Sequence, residues 1–190
     1  MTSFSAPRKL EKSDDRSAFH SGANEVDDWF TRFAWENQAA NNATTYVARH
    51  GDRVAGFYSI TMAAVAVGDA PARLAERRPS QIPCILLARL AVDEEFKGAG
   101  LGWGLLRDAL IRSFHISGSI GAAAVLIHCR DESAKSFYLH HGDFLQSPIE
   151  DLHLMIPMKE LRPKARSLRV TMGVFDHAAE SLAPSRYEGV

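Results

Sequence analysis

Leu90-Ala91-Val92-Asp93-Glu94-Glu95-Phe96-Lys97-Gly98-Ala99-Gly100-Leu101-Gly102 is the stretch on which the reading of this chain turns. It reads as a strand end, a turn with alternating glycines, and a helix start. Such a turn points several backbone N–H groups at one place, at the positive end of a helix dipole. Glycines let the backbone approach a bulky anion closely. The guest this predicts is a pyrophosphate. Two familiar phosphate loops do not fit. The dinucleotide fingerprint needs a third glycine three places after its second, where this chain has Trp103 or Leu105. The P-loop needs Gly-Lys-Ser/Thr, which is absent. Glycines alone are also compatible with a purely structural turn.

The flanking segments extend the pattern. Cys84 to Val92 is an apolar run broken only by Arg89, as in a strand buried on both faces. A helix is predicted from about Gly102 to Phe114, with Leu106, Leu110 and Phe114 on one stripe and Arg107, Asp108 and Arg112 pointing away. Ala122 to Cys129 reads as a second buried strand, and Asp131 as the cap of a short helix reaching His141. Phe144–Ser147 and Leu152–Met158 read as two last strands. Upstream, Val26 to Gln38 places Val26, Trp29, Phe30, Phe33 and Ala34 on one helical face, with Asn24 as N-cap. Thr44–Arg49 and Val54–Val67 flank His50-Gly51-Asp52 as a hairpin. Asp69 to Pro83 carries three prolines and reads as a long loop with a short helix. The sum is an α/β fold with a mixed sheet of about six to seven strands flanked by helices.

The chain has 190 residues, 46% hydrophobic and 24% charged, which suits one folded domain. That domain is placed at residues 1–160, with a tail at 161–190 of no clear pattern. No apolar run is long enough to span a bilayer. The polar start, Met1 to Asp15, lacks the apolar core of a signal peptide. Cys84 and Cys129 are most simply reduced and buried. The compartment these features predict is the cytoplasm. Net charge is -1, which does not advertise a nucleic-acid binder. Basic clusters occur locally, at Arg73, Arg77 and Arg78 and along Lys159, Arg162, Lys164, Arg166 and Arg169. Such clusters are commonly solvated surface. Adjacent His140 and His141 do not share a helix face, and no Cys/His spacing supports a metal.

The sequence resembles the GNAT family of acetyltransferases. The matching residues are Leu90-Ala91-Val92, then Lys97-Gly98-Ala99-Gly100-Leu101-Gly102, then Ala134, Phe137 and Tyr138 on the second helix. Lys97 stands where the family usually has Gln or Arg, and Asp143 is inserted between Gly142 and Phe144. Within the family it is similar to the toxins of bacterial toxin–antitoxin pairs that acetylate aminoacyl-tRNA. That likeness is carried by Phe19-His20-Ser21-Gly22, Val26-Asp27-Asp28-Trp29, Val54-Ala55-Gly56-Phe57-Tyr58 and Leu87-Ala88-Arg89-Leu90-Ala91-Val92-Asp93.

The resemblance implies a GNAT fold, acetyl-CoA as donor, no metal, and an aminoacyl-tRNA substrate. It also implies a separate small ribbon-helix-helix antitoxin, and it allows a homodimer. Leu90 and Val92 would pair with the pantetheine amides, with Ala91 between them in the coenzyme-binding stretch, and Lys97 to Gly102 would hold the pyrophosphate. Ser133 and Phe137 would flank the coenzyme, and Tyr138 would be the general acid. A phenol, titrating near ~10, can protonate a thiolate if well placed. An α-amino group titrates near ~8, so no strong protein base is required. Arg77, Arg78 and Arg89 are the candidates for substrate phosphates. Arg89 needs a partner on its apolar strand, a structural salt bridge being the other reading. A GNAT enzyme for a small or protein amine, and a non-catalytic coenzyme A binder, remain open on sequence.

Overall fold

The computed structural model of the chain describes residues 3–161. The basic positions Arg162, Lys164, Arg166 and Arg169, and the tail from 162 to 190, lie outside the described residues. The strands are β1 (Arg8–Lys9), β2 (Thr44–His50), β3 (Arg53–Ala66), β4 (Gln81–Val92), β5 (Ala124–His128), β6 (Leu145–Gln146) and β7 (His153–Pro157). The helices are α1 (Asn24–Arg32), α2 (Ala34–Ala39), α3 (Ala72–Ala75), α4 (Leu101–Ile120) and α5 (Glu132–His141). One mixed sheet has the order β1-β2-β3-β4-β5-β7-β6. β4 and β5 run parallel, and each other neighbouring pair is antiparallel.

The two faces of the sheet are covered differently. Leu105 and Leu106 of α4 and Tyr138 of α5 pack with Tyr58, Ile85 and Ile127 on one face. On the other face Phe30 and Ala34 of α1 and α2 pack with Phe57 and Ala91. Leu74 of α3 covers Ile82, Cys84 and Leu126 farther along the same face. The Phe30 and Phe57 rings are nearly parallel, with centroids 3.9 Å apart.

One irregularity creates the site. Ser59 pairs with Arg89 but Ile60 pairs with Leu87, so Ala88 is an extra residue in β4. A bulge of this kind bends its strand. Pairing with β5 stops at Leu87–Ile127, while β4 continues to Val92. The two parallel strands therefore separate into a V.

The hairpin turn, the cap at Asp131 and six of the seven strands match the sequence reading; β1 is absent from that reading, and β4 starts at Gln81, inside the segment read as a loop. Four helical expectations are corrected. Val26–Gln38 is not one helix: the chain breaks at Phe33 (φ -118°), which leaves that ring 44% exposed. Asn24 is the first helical residue rather than the cap. α4 runs to Ile120, past Phe114, where Gly121 at φ 74° supplies the left-handed stop. Asp108 does not simply point to solvent, since its carboxylate accepts hydrogen bonds from the Tyr58 hydroxyl and from Arg112 Nε. The polar N-terminus is built in: Phe4 and Leu10 are buried, and Arg8 donates to Asp14 through both terminal nitrogens at 2.9 and 2.6 Å. Among the described residues no helix is long and apolar enough to cross a membrane.

Candidate active site

The V between β4 and β5 opens into a cleft of about 680 Å³. Its walls are the outer edge of β4 from Ala88 to Val92, the residues after β5, and α5. The β4 edge has free backbone groups. Val92 pairs with Gly56, and the next N–H, of Asp93, donates to Ala55 O at 2.9 Å. In an antiparallel ladder this makes Val92–Gly56 a non-hydrogen-bonded pair, so Val92 turns its own N–H and C=O away from β3. By alternation Leu90 does the same. These groups face the edge that β5 has vacated.

At one end of the cleft lies the glycine turn. Asp93, 3% exposed, fixes its entry by accepting from Glu95 N and His20 N, each at 3.1 Å. Gly98 and Gly100 have φ of 80° and 81°, a left-handed conformation that L side chains disfavour. Gly104 N donates to Gly100 O at 3.1 Å as the first bond of α4. The N–H groups of Leu101, Gly102 and Trp103 before it have no helical acceptor and point out of the positive end. The Leu101 side chain is buried in the core, so only its backbone faces the turn. At Gly102 an added Cβ would stand 3.5 Å from the Phe137 ring, so this glycine sets how closely α5 approaches α4. Lys97 reaches backwards: its Nζ donates to Ser21 O at 2.7 Å and lies 3.6 Å from Glu94 Oε1. It ties the segment before α1 to the turn.

Ser133, Phe137 and Tyr138 line the cleft from α5. Asp131 orients that helix by accepting from Ala134 N at 2.8 Å. The Tyr138 ring is 7% exposed and packs edge-on against Phe137 and Phe144. Burial, and then the neighbouring Cys129, push its hydroxyl well above the usual phenol range. The group therefore holds its proton at any working pH. Burial likewise pushes the Cys129 thiol up to about 11, so it is no thiolate nucleophile near neutrality.

Arg89 sits in the cleft without the expected ion pair: among the described residues no carboxylate lies within salt-bridge distance of it. Its guanidinium instead lies over the Trp29 ring of α1, 4.2 Å from the centroid. Burial lowers its pKa, and the more distant Glu25 partly offsets this. Arg77 and Arg78 are not brought to the cleft. They precede β4 at its far end, roughly 35 Å of extended strand from the glycine turn, with Arg77 exposed at φ 56°. The lining also includes residues that the sequence reading passed over: Glu25 on α1, His128 ending β5, Cys129 and Arg130. Their signal was position, since crevices of α/β sheets form beyond the carboxyl ends of strands.

Comparison with known proteins gives this geometry a context. The acetyltransferase (GNAT) domain family matches residues 41–142. A tRNA-acetylating toxin of Mycobacterium tuberculosis is 41% identical over 85% of this chain and 97% of its own length. The probable toxin TacT of Sinorhizobium fredii is 33% identical over 78% of this chain and 87% of its own. The solved structure of AtaT complexed with acetyl-methionyl-tRNAfMet superposes with a TM-score of 0.77 at 20% identity, covering 85% of this chain and 98% of that one. With that match and these relatives, this chain belongs to the GNAT family of acetyl-CoA-dependent acyltransferases.

Proposed function

We propose that the protein transfers the acetyl group of acetyl-CoA to the amino group of an aminoacyl-tRNA and thereby stops translation, as the toxin of a toxin–antitoxin pair. The observation that carries the chemistry is the separation of β4 from β5 beside the glycine turn. It leaves an unpaired strand edge leading from an anion-holding helix end to a buried phenol. The substrate class rests on the 41% identical tRNA-acetylating toxin, matched across 97% of its length. The likeness to AtaT, solved bound to the C-terminus of the antitoxin AtaR, motivates a protein antitoxin as partner; a small ribbon-helix-helix protein and the cytoplasm are the finer readings.

The site fits acetyl-CoA on its own features. The backbone groups of Leu90 and Val92 would take the pantetheine amides as an added strand. The N–H groups of Gly98 to Gly102 would take the pyrophosphate, with Ser133 and Phe137 along the coenzyme. When bound, acetyl-CoA supplies an acetyl thioester. Tyr138 acts as general acid, giving its proton to the sulfur that leaves. Arg89, seated over the Trp29 ring, stands ready for a phosphate of the acceptor. The test is to incubate the protein with labelled acetyl-CoA and charged tRNA. Label in acetylated aminoacyl ends is the expected result. Label only in free amines or protein lysines would remove the tRNA reading.

A further inference from the structure

The roles assigned so far include an acid and no proton acceptor. On the face of the sheet away from α4, the V is flanked by Arg89 with Trp29 and Glu25 on one side. On the other side stands His128, the last residue of β5 and the first after pairing with β4 ends. His128 pairs across strands with His153 of β7, and the two rings stack at 3.9 Å between centroids with 17° between planes. The stack holds the His128 ring in one orientation. The residue remains open to solvent and lines the cleft. We propose that His128 is a second catalytic residue, the base that takes the proton the attacking amino nitrogen must shed. This assignment rests on the aminoacyl-tRNA reading above.

The step balances. The nitrogen forms the new C–N bond to the acetyl carbon as the C–S bond breaks. His128 accepts one proton from that nitrogen, and Tyr138 supplies one to the leaving sulfur. The protonated imidazole then discharges to water while the phenolate recovers its proton from solvent. Neutral imidazole is required, and the surroundings favour it. Burial under the stack and the facing His153 lower the His128 pKa, and Glu150 opposes them weakly. The other charged groups lining the cleft are Arg89 on β4, Glu25 on α1, Lys97 in the glycine turn, and Arg130 following β5. A pair of surface histidines that merely stack across strands would give the same rings with no role in transfer, and the experiment separates the two.

Single-turnover acetylation of charged tRNA is measured from pH 5.5 to 9 for the original protein, His128→Ala and His153→Phe. His128→Ala should be slower by roughly 10²-fold or more, the range for general base catalysis, and added imidazole should restore part of the rate. The original protein should lose rate below pH 6.5 through an ionisation that His128→Ala lacks. His153→Phe keeps a stacking ring without its charge and should move that ionisation upward. An NMR titration without any ligand should find the His128 ring titrating below ~6.5, the ordinary value. A His128→Ala rate within a few-fold of the original, or a deficit indifferent to imidazole, overturns the proposal. So does a His128 ring that titrates above 7.5. If the original protein leaves charged tRNA unmodified while binding acetyl-CoA, the substrate reading falls first, and this assignment with it.

Discussion

Arg89 lays its guanidinium over the indole of Trp29, 4.2 Å from the ring centroid, and so joins β4 to α1 across the mouth of the cleft. The contact fixes a charge that, among the described residues, no carboxylate neutralises at close range. A guanidinium over an indole is worth ~0.5–2 kcal/mol, more as water is excluded. Arg89→Ala should lower kcat/KM for charged tRNA by roughly tenfold, if it loses one phosphate contact of the charge-assisted kind. Acetyl-CoA affinity by calorimetry should stay unchanged. Trp29→Leu, which keeps the charge and frees it, should give a smaller loss. Equal losses of coenzyme affinity in both variants would mean that the pair supports the fold and not the acceptor.

Tyr138→Phe separates acid catalysis from packing. The hydroxyl is lost and the buried ring kept, so melting temperature and acetyl-CoA affinity should barely change. Single-turnover transfer should fall by roughly 10²–10⁴-fold. Because burial raises the hydroxyl's pKa, the acid form is the one present below that raised value and is lost only above it. The original protein should therefore show no fall in rate from this group up to pH 10. A descending limb near pH 8 in the original that is missing in Tyr138→Phe would contradict this.

Gly100→Asp tests the anion end of the cleft. Two costs combine there: a side chain at φ 81°, and a negative charge beside the positive helix end. Gly100→Ala carries the backbone strain with no charge. Calorimetry should show weaker acetyl-CoA binding by Gly100→Asp than by Gly100→Ala. Matching affinities in the two variants would remove the phosphate-holding role of the turn.

Gly56 is the stability test. A Cβ at this position would stand 2.8 Å from Leu105 Cδ1 and 3.0 Å from the Ala91 carbonyl oxygen. A leucine can turn aside, but the backbone of β4 cannot move without shifting the cleft edge. Gly56→Ala should cost about 1–3 kcal/mol, the usual range for overpacking, read as a lower denaturant midpoint. Gly51→Ala makes a useful contrast, since nothing stands within 4 Å and only its φ of 58° is at stake.

Much of this site is legible from local chemistry. The glycine turn, the Asp131 cap and the hairpin at Gly51 each depend on a few adjacent residues whose conformational needs are written in their side chains. Leu90 and Val92 as backbone donors followed from the family likeness, and the ladder arithmetic at Asp93 supplies the physical reason. What stayed hidden depends on partners far apart in the chain. Arg89 called for a partner, but nothing nearby points to Trp29. His128 looks like an ordinary strand end until β7 brings His153 against it. Phe33 fits the helical stripe on spacing alone, and only the docking of α1 and α2 onto β2 and β3 shows why the stripe ends. Arg77 and Arg78 drew notice for their charge, yet β4 carries them away from the cleft.

The extra residue at Ala88 reverses the parity of β4. Before it, odd-numbered Ile85 and Leu87 face α4, while even-numbered Cys84 and Leu86 face α3. After it, even-numbered Leu90 and Val92 pack towards α4, and Ala91 joins the α1–α2 layer. Removing Ala88 would therefore do more than shorten a strand. Without it Ser59 would still face Arg89 and Ile60 would still face Leu87, now as adjacent rungs, so Arg89 and Leu90 would keep their faces while β4 lost its bend and could resume its ladder with β5. The cleft would zip shut with its side chains still on their present faces. One alanine thus divides a single strand into a half that builds the sheet and a half that works at its edge.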